Sequence, residues 1–150
     1  MQQSNEMTNM SQYDSRPSWT QLFFDIARLV SRRSKDPHTK VGAVLVKDGH
    51  VIGIGYNGEP RGFKYDFDWN TSEKYDYVIH AELNAIANAN AIGVCCKDAD
   101  LYVTMSPCKD CMKLLIQHQI KSVHFLNKYK DYETTKLIAD NSNIRLIERC

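Results

Sequence analysis

LYVTMSPCKDCMKLLIQHQIKSVHFL, residues 101–126, decides the fold of this chain. Leu101 to Met105 is a mostly apolar run of strand length. Ser106-Pro107 reads as an N-cap followed by a first helical position, so a helix starts there and runs to about His118. Ser122 to Leu126 returns to strand character. Working outward toward the C-terminus, Tyr132 to Asn141 reads as a helix and Ile144 to Ile147 as a last strand. Toward the N-terminus, Ala81 to Ile92 is an Ala-rich helix closed by Gly93. Val41 to Val46 is a nearly continuous apolar run, as in a strand buried on both faces. Asp48-Gly49 is a hairpin turn, and Val51 to Tyr56 is the partner strand, with Gly53 and Gly55 allowing close backbone approach. Ser18 caps a first helix that carries Trp19, Leu22, Phe23, Ile26 and Val30 at helical spacing and ends near Ser34, before Pro37. Helix and strand alternate after the hairpin. That pattern predicts an α/β sheet with helices on both faces and parallel pairing in its second half.

Residues 57–79 interrupt this order. Gly58, Pro60 and Gly62 break the chain, and Phe63, Tyr65, Phe67, Trp69, Tyr75 and Tyr77 alternate with Asp66, Asp68 and Asp76. A segment of this length is either a functional loop or a surface loop that tucks in a few aromatics. The chain's 150 residues suit one domain, at 18–150, preceded by a flexible tail over 1–17. Basic and acidic residues, 19 and 18, nearly cancel, which argues against a nucleic-acid binder. No apolar run approaches the ~20 residues of a membrane span, and Met1 to Pro17 lacks a signal-peptide core. A soluble, cytoplasmic protein is expected, with neither membrane nor nucleic acid as partner. Five cysteines without secretory context suggest free thiols or metal ligands.

The chemistry concentrates in His80-Ala81-Glu82 and Pro107-Cys108-Lys109-Asp110-Cys111. Cys108 and Cys111, three apart at a helix start, place both sulfurs on one face above the first turn. The helix N-terminus favours thiolates, the metal-binding form. His80 precedes another helix, and adjacent parallel strands would bring both helix N-termini to one sheet edge. One imidazole and two thiolates then meet at one Zn2+. Three protein ligands leave a position for water, the catalytic pattern, whereas four close a structural site. Cys95 or Cys96 as a fourth ligand is the structural alternative, but it leaves Glu82 unexplained. A redox role for the CxxC pair would leave His80-Ala81-Glu82 unused. Two thiolates neutralise the ion, so a nearby base becomes useful. Glu82, in the first turn after His80, is placed to take a proton from water and return it to a ring nitrogen and a leaving ammonia.

H-x-E followed by P-C-x-x-C is the signature of the zinc deaminases. The sequence resembles the cytidine deaminase superfamily, and within it the deoxycytidylate (dCMP) deaminases. The resemblance runs over about 18–148. It rests on Arg33-Ser34-Lys35-Asp36-Pro37, Val41-Gly42-Ala43-Val44, Gly55-Tyr56-Asn57-Gly58, His80-Ala81-Glu82-Leu83-Asn84-Ala85, Tyr102-Val103-Thr104 with Ser106-Pro107-Cys108, and Lys128-Tyr129. It implies a three-layer α/β/α cytidine deaminase-like fold with a mixed five-stranded sheet. It implies hydrolysis of dCMP to dUMP, feeding thymidylate synthesis. His80, Cys108 and Cys111 would hold zinc, one ion per subunit, since no Cys or His lies between Asn57 and Ile79. Glu82 would shuttle protons, Asn57 would contact the deoxyribose, and Tyr129, Lys130 and His38 would lie at the 5′-phosphate. The resemblance also implies a hexamer activated by dCTP with Mg2+ and inhibited by dTTP, its effector segment falling at Gly55, Tyr56, Asn57 and Gly58. The rivals are a deaminase that also takes dCTP, a tRNA or nucleoside deaminase, and a non-catalytic zinc module.

Overall fold

The computed structural model describes residues 15–149, so most of the expected N-terminal tail and Cys150 lie outside the described residues. The elements are α1 (Trp19–Ser31), β1 (Gly42–Lys47), β2 (His50–Tyr56), α2 (Lys74–Tyr77), α3 (Ala81–Ala91), β3 (Asp100–Met105), α4 (Lys109–Gln117), β4 (Ser122–Asn127), α5 (Tyr132–Asp140) and β5 (Arg145–Glu148). The five strands form one sheet in the order β2-β1-β3-β4-β5. β1 is antiparallel to both β2 and β3, whereas β3, β4 and β5 run parallel. This is the mixed sheet expected, with parallel pairing in the second half.

Alternating side chains divide the core between the two faces of the sheet. Ala43 and Leu45 of β1, Leu101 and Val103 of β3, and Val123 and Phe125 of β4 pack against the buried residues of α3, α4 and α5. Val44, Val46 and Tyr102 point the other way, against Phe23, Phe24 and Ala27 of α1. The result is three layers, α/β/α. Gly53 and Gly55 are required where β2 meets α3. A Cβ at Gly55 would stand 2.3 Å from the Ala85 nitrogen, and one at Gly53 would stand 2.4 Å from the Ala85 oxygen. An Ala-rich helix on a Gly-bearing strand lets the two backbones close up. At the hairpin, Asp48 (φ 51°) and Gly49 (φ 78°) are both left-handed, which suits a two-residue primed turn.

Three expectations are corrected. α1 ends at Ser31 rather than near Ser34, because the Arg32 N–H turns back onto the Leu29 and Val30 carbonyls. α4 is capped by Cys108 and not by Ser106. The two helices that begin at the candidate metal ligands do not follow adjacent strands: α3 comes after β2 and the short α2, α4 follows β3, and β1 lies between. Being antiparallel to both neighbours, β1 makes β2 and β3 run the same way, so their carboxyl ends still share one edge. The 57–79 segment also holds the four-residue helix α2, too short to announce itself by periodicity.

Candidate active site

α3 and α4 bring their first turns together at the shared edge of the sheet. His80 is the residue before α3, in extended conformation, and its side chain makes no capping hydrogen bond. Its imidazole is therefore free to reach the other helix. Its Nδ1 lies 3.5 Å from Cys108 Sγ and 3.3 Å from Cys111 Sγ. Cys108 caps α4, and its Sγ accepts the Cys111 N–H at 3.4 Å. All three candidate ligand atoms lie within 4.8 Å of one another.

The residues fit zinc. A tetrahedral ion with ordinary Zn–N and Zn–S bonds holds its nitrogen and sulfur ligands about 3.5 Å apart, the separation found here. The protonation chemistry agrees. The hydrogen bond from Cys111 leads in holding the Cys108 thiol well below its ordinary range, with His80 helping, while the same shared bond and burial push Cys111 up. His80 is pushed up chiefly by its bond to Cys108.

Glu82 sits in the first turn of α3, 3% exposed, and its Oε2 has no hydrogen-bond partner. A buried carboxylate oxygen without a partner is costly unless something else meets it in use. Burial pushes its pKa up, against the opposing pull of His80. Glu82 faces a cavity.

That cavity is lined by His80, Glu82 and Cys108, and also by Asn57, Tyr129 and Lys130. These six positions come from four chain segments, assembled by short ties. Ser106 Oγ accepts the Tyr129 N–H at 2.8 Å, and the Ser106 N–H donates to Asn127 O at 2.8 Å. These bonds fix the loop after β4 against the turn after β3. The Thr135 hydroxyl, fully buried, donates to Pro107 O at 2.9 Å and holds the same turn from beneath. Asn57 is buried; its Oδ1 accepts the Val41 N–H at 2.9 Å and its Nδ2 donates to Thr39 O at 2.8 Å. Lys130 Nζ lies over the rings of Tyr129 and Tyr75, at 5.5 and 5.8 Å.

Two other expected groups are placed differently. His38 is exposed, with Nε2 3.0 Å from Asn70 Oδ1, and is not among the lining residues. At Gly55–Gly58 the Asn57 N–H donates to Val41 O and the Gly58 N–H to Ile79 O, so the fold has already taken these donors. Tyr56 is half-buried beneath the Arg33 guanidinium, 5.9 Å from the ring centre. The sequence reading also missed lining residues, namely Asp36, Thr39, Lys74, Tyr75 and Val78. For Lys74, Tyr75 and Val78 the signal was the odd composition of the 57–79 segment, which supplies one wall.

A family model for the cytidine and deoxycytidylate deaminase zinc-binding region matches residues 17–127. Human deoxycytidylate deaminase is 46% identical over 122 residues, which span 75% of this chain and 67% of that protein. The mouse deoxycytidylate deaminase is 46% identical over 126 residues, spanning 78% of this chain and 70% of its own. Among solved structures, the dCMP deaminase of cyanophage S-TIM5, in complex with dCMP and dUMP, superposes with a TM-score of 0.80 at 27% identity, over 90% of this chain and 99% of the other. Motif, geometry and kinship agree: the chain belongs to the cytidine and deoxycytidylate deaminase family.

Proposed function

We propose that this protein hydrolyses dCMP to dUMP and ammonia. The observation that carries the proposal is one cavity lined both by the His80–Cys108 edge of the candidate metal site with Glu82 and by Lys130 with Tyr129. The first set suits attack on an aromatic carbon bearing an amine; the second suits a phosphate. Zinc held by His80, Cys108 and Cys111 supplies, when bound, a Lewis acid that makes water a nucleophile near neutral pH. Glu82 takes a proton from the attacking water, and its buried, partnerless Oε2 holds it. It passes that proton to the ring nitrogen, then takes the remaining proton from the new hydroxyl on the ring carbon and gives it to the departing amine, so that a C–N bond is replaced by C–O and ammonia leaves. Asn57, with one lone pair and one N–H left after its backbone bonds, serves the deoxyribose.

The proposal extends to a cytoplasmic hexamer, activated by dCTP with Mg2+ and inhibited by dTTP, that supplies dUMP for thymidylate synthesis. Since the amides of Asn57 and Gly58 are engaged, effector contact at Gly55–Gly58 falls to the Tyr56 ring and the Arg33 guanidinium above it. Among the described residues no helix is long and apolar enough to cross a membrane.

The test is dUMP formation from dCMP by zinc-loaded protein, with and without dCTP and Mg2+. Turnover that rises with dCTP supports both parts. Turnover indifferent to dCTP overturns the effector part alone. No dUMP from folded, zinc-loaded protein overturns the whole reading and turns attention to dCTP, free nucleosides and tRNA.

A further inference from the structure

We infer that the Asp36–Lys74 ion pair is a positioning device that sets the wall of the substrate pocket. Lys74 Nζ lies 2.8 Å from Asp36 Oδ2, and the two side chains are only 13% and 4% exposed. Asp36 is a hub. Its Oδ1 accepts the N–H groups of His38 at 2.9 Å and Thr39 at 3.2 Å. Thr39 O then accepts from Asn57 Nδ2, and Ser34 Oγ, which accepts the Asp36 N–H, donates to Asn57 O at 2.8 Å. One carboxylate thus orders the turn that orients the Asn57 carboxamide. Through Lys74 it also anchors α2, which carries Tyr75, and the Tyr75 ring lies 5.6 Å from Lys74 Nζ and 5.8 Å from Lys130 Nζ. Asp36, Thr39, Asn57, Lys74 and Tyr75 all line the same cavity as Glu82.

Stability alone is a poor account of this pair. Removing two charges from water costs much of what their attraction returns, and apolar side chains of similar volume hold a fold as well or better. An ion pair with a fixed carboxylate adds a single geometry, which packed methylenes do not impose. Here that geometry joins two walls separated by 38 residues of chain. Neither residue is hydrogen-bonded to His80, Glu82, Cys108 or Cys111. The pair therefore acts on how substrate is held and not on the proton transfers.

The inference rests on dCMP being the substrate, so wild-type turnover of dCMP is measured first. Lys74→Met and the double variant Asp36→Asn/Lys74→Met are then compared as zinc-loaded proteins. The double variant leaves no unpaired buried charge and guards against a single variant that fails to fold. The expected result is a KM for dCMP raised about tenfold in both, with kcat within about twofold of wild type. A double variant that regains the wild-type KM would reduce the pair to charge neutralisation and overturn the inference. So would a kcat that falls while KM stays, the mark of a smaller folded fraction. Hydrogen exchange gives a readout independent of substrate: amides at 36–39 and 74–79 should exchange faster in the double variant while β3 and β4 stay protected. Unchanged exchange there overturns the inference even if dCMP proves not to be the substrate.

Discussion

Ser106 Oγ accepts the backbone N–H of Tyr129 at 2.8 Å, so the turn that presents Cys108 and the loop that presents Lys130 are held by one hydroxyl. Ser106 is 3% exposed, and an unsatisfied N–H at Tyr129 would be left behind by its removal. Ser106→Ala should lower stability by about 1 kcal/mol and raise KM for dCMP several-fold. Zinc content should be unchanged, since the contacts that join His80, Cys108 and Cys111 do not pass through the Ser106 hydroxyl. Metal analysis beside steady-state kinetics checks this, and zinc loss at unchanged KM would refute the coupling.

Glu82→Gln keeps the size of the side chain and removes its capacity to hold a proton. The variant should bind zinc as wild type does and lose about 10²- to 10⁴-fold in kcat. A protein whose only role is to bind through a zinc module would keep its function in this variant.

Cys108→Ala and Cys111→Ala should each cost metal and activity together, because two remaining ligands do not hold the ion. Cys108→Ala also removes the cap of α4, which accepts the Cys111 N–H, so its melting temperature should fall further than zinc loss alone produces. Comparison with chelated wild type separates the two effects. Full activity in metal-free protein would refute the assignment.

Lys130→Ala should discriminate between substrates. Its ammonium lines the cavity beside Tyr129 and Tyr75. A charge-assisted contact to phosphate predicts KM for dCMP raised about ten- to a hundredfold, with deoxycytidine turnover little changed. Equal losses for both substrates would remove Lys130 from the phosphate site.

The residues that chemistry constrains were readable from spacing. His80, Glu82, Cys108 and Cys111 come from two helix starts at one sheet edge, and helix geometry leaves few ways to arrange them. The glycines of β2 were readable for a similar reason: α3 must lie against them. Local propensity misled at Ser106, whose hydroxyl is drawn away from capping by Tyr129, a partner that sequence order does not reveal. The Asp36–Lys74 pair was invisible because its partners are brought together only by the complete fold, and the motif that holds Asp36 does not point to Lys74. Adjacent parallel strands were the wrong route to a right conclusion about the sheet edge. Only the pairing order shows that β1 inserts between β2 and β3 and preserves their common direction.

His124 gives the fold a response to acid. It lies on β4, 7% exposed, stacked on the Tyr102 ring at 4.5 Å and 6°. Ser122 Oγ donates to Asp100 Oδ1, so at 3.0 Å it accepts from His124 Nε2–H. His124 Nδ1 in turn accepts the Arg149 Nε–H at 3.2 Å. Both ring nitrogens are thereby committed to the neutral form, and a second proton must displace an arginine. Burial, then the charge of Arg149, lowers the pKa from the usual 6.5 to about 4. The unfolded chain therefore binds the extra proton first. Stability is complete above about pH 6.5, falls as pH drops toward 4, and levels off below it. The loss should be roughly 1–2 kcal/mol once solvent screening near Arg149 is allowed for. Urea unfolding of wild type and His124→Gln at pH 7 and pH 5 isolates this contribution, because acid effects on the zinc site are common to both. Arg149→Met should shrink this loss and make it level off at a higher pH, since the cation that suppresses protonation of the folded state is gone. An identical pH dependence in wild type and His124→Gln would show that this histidine carries none of it.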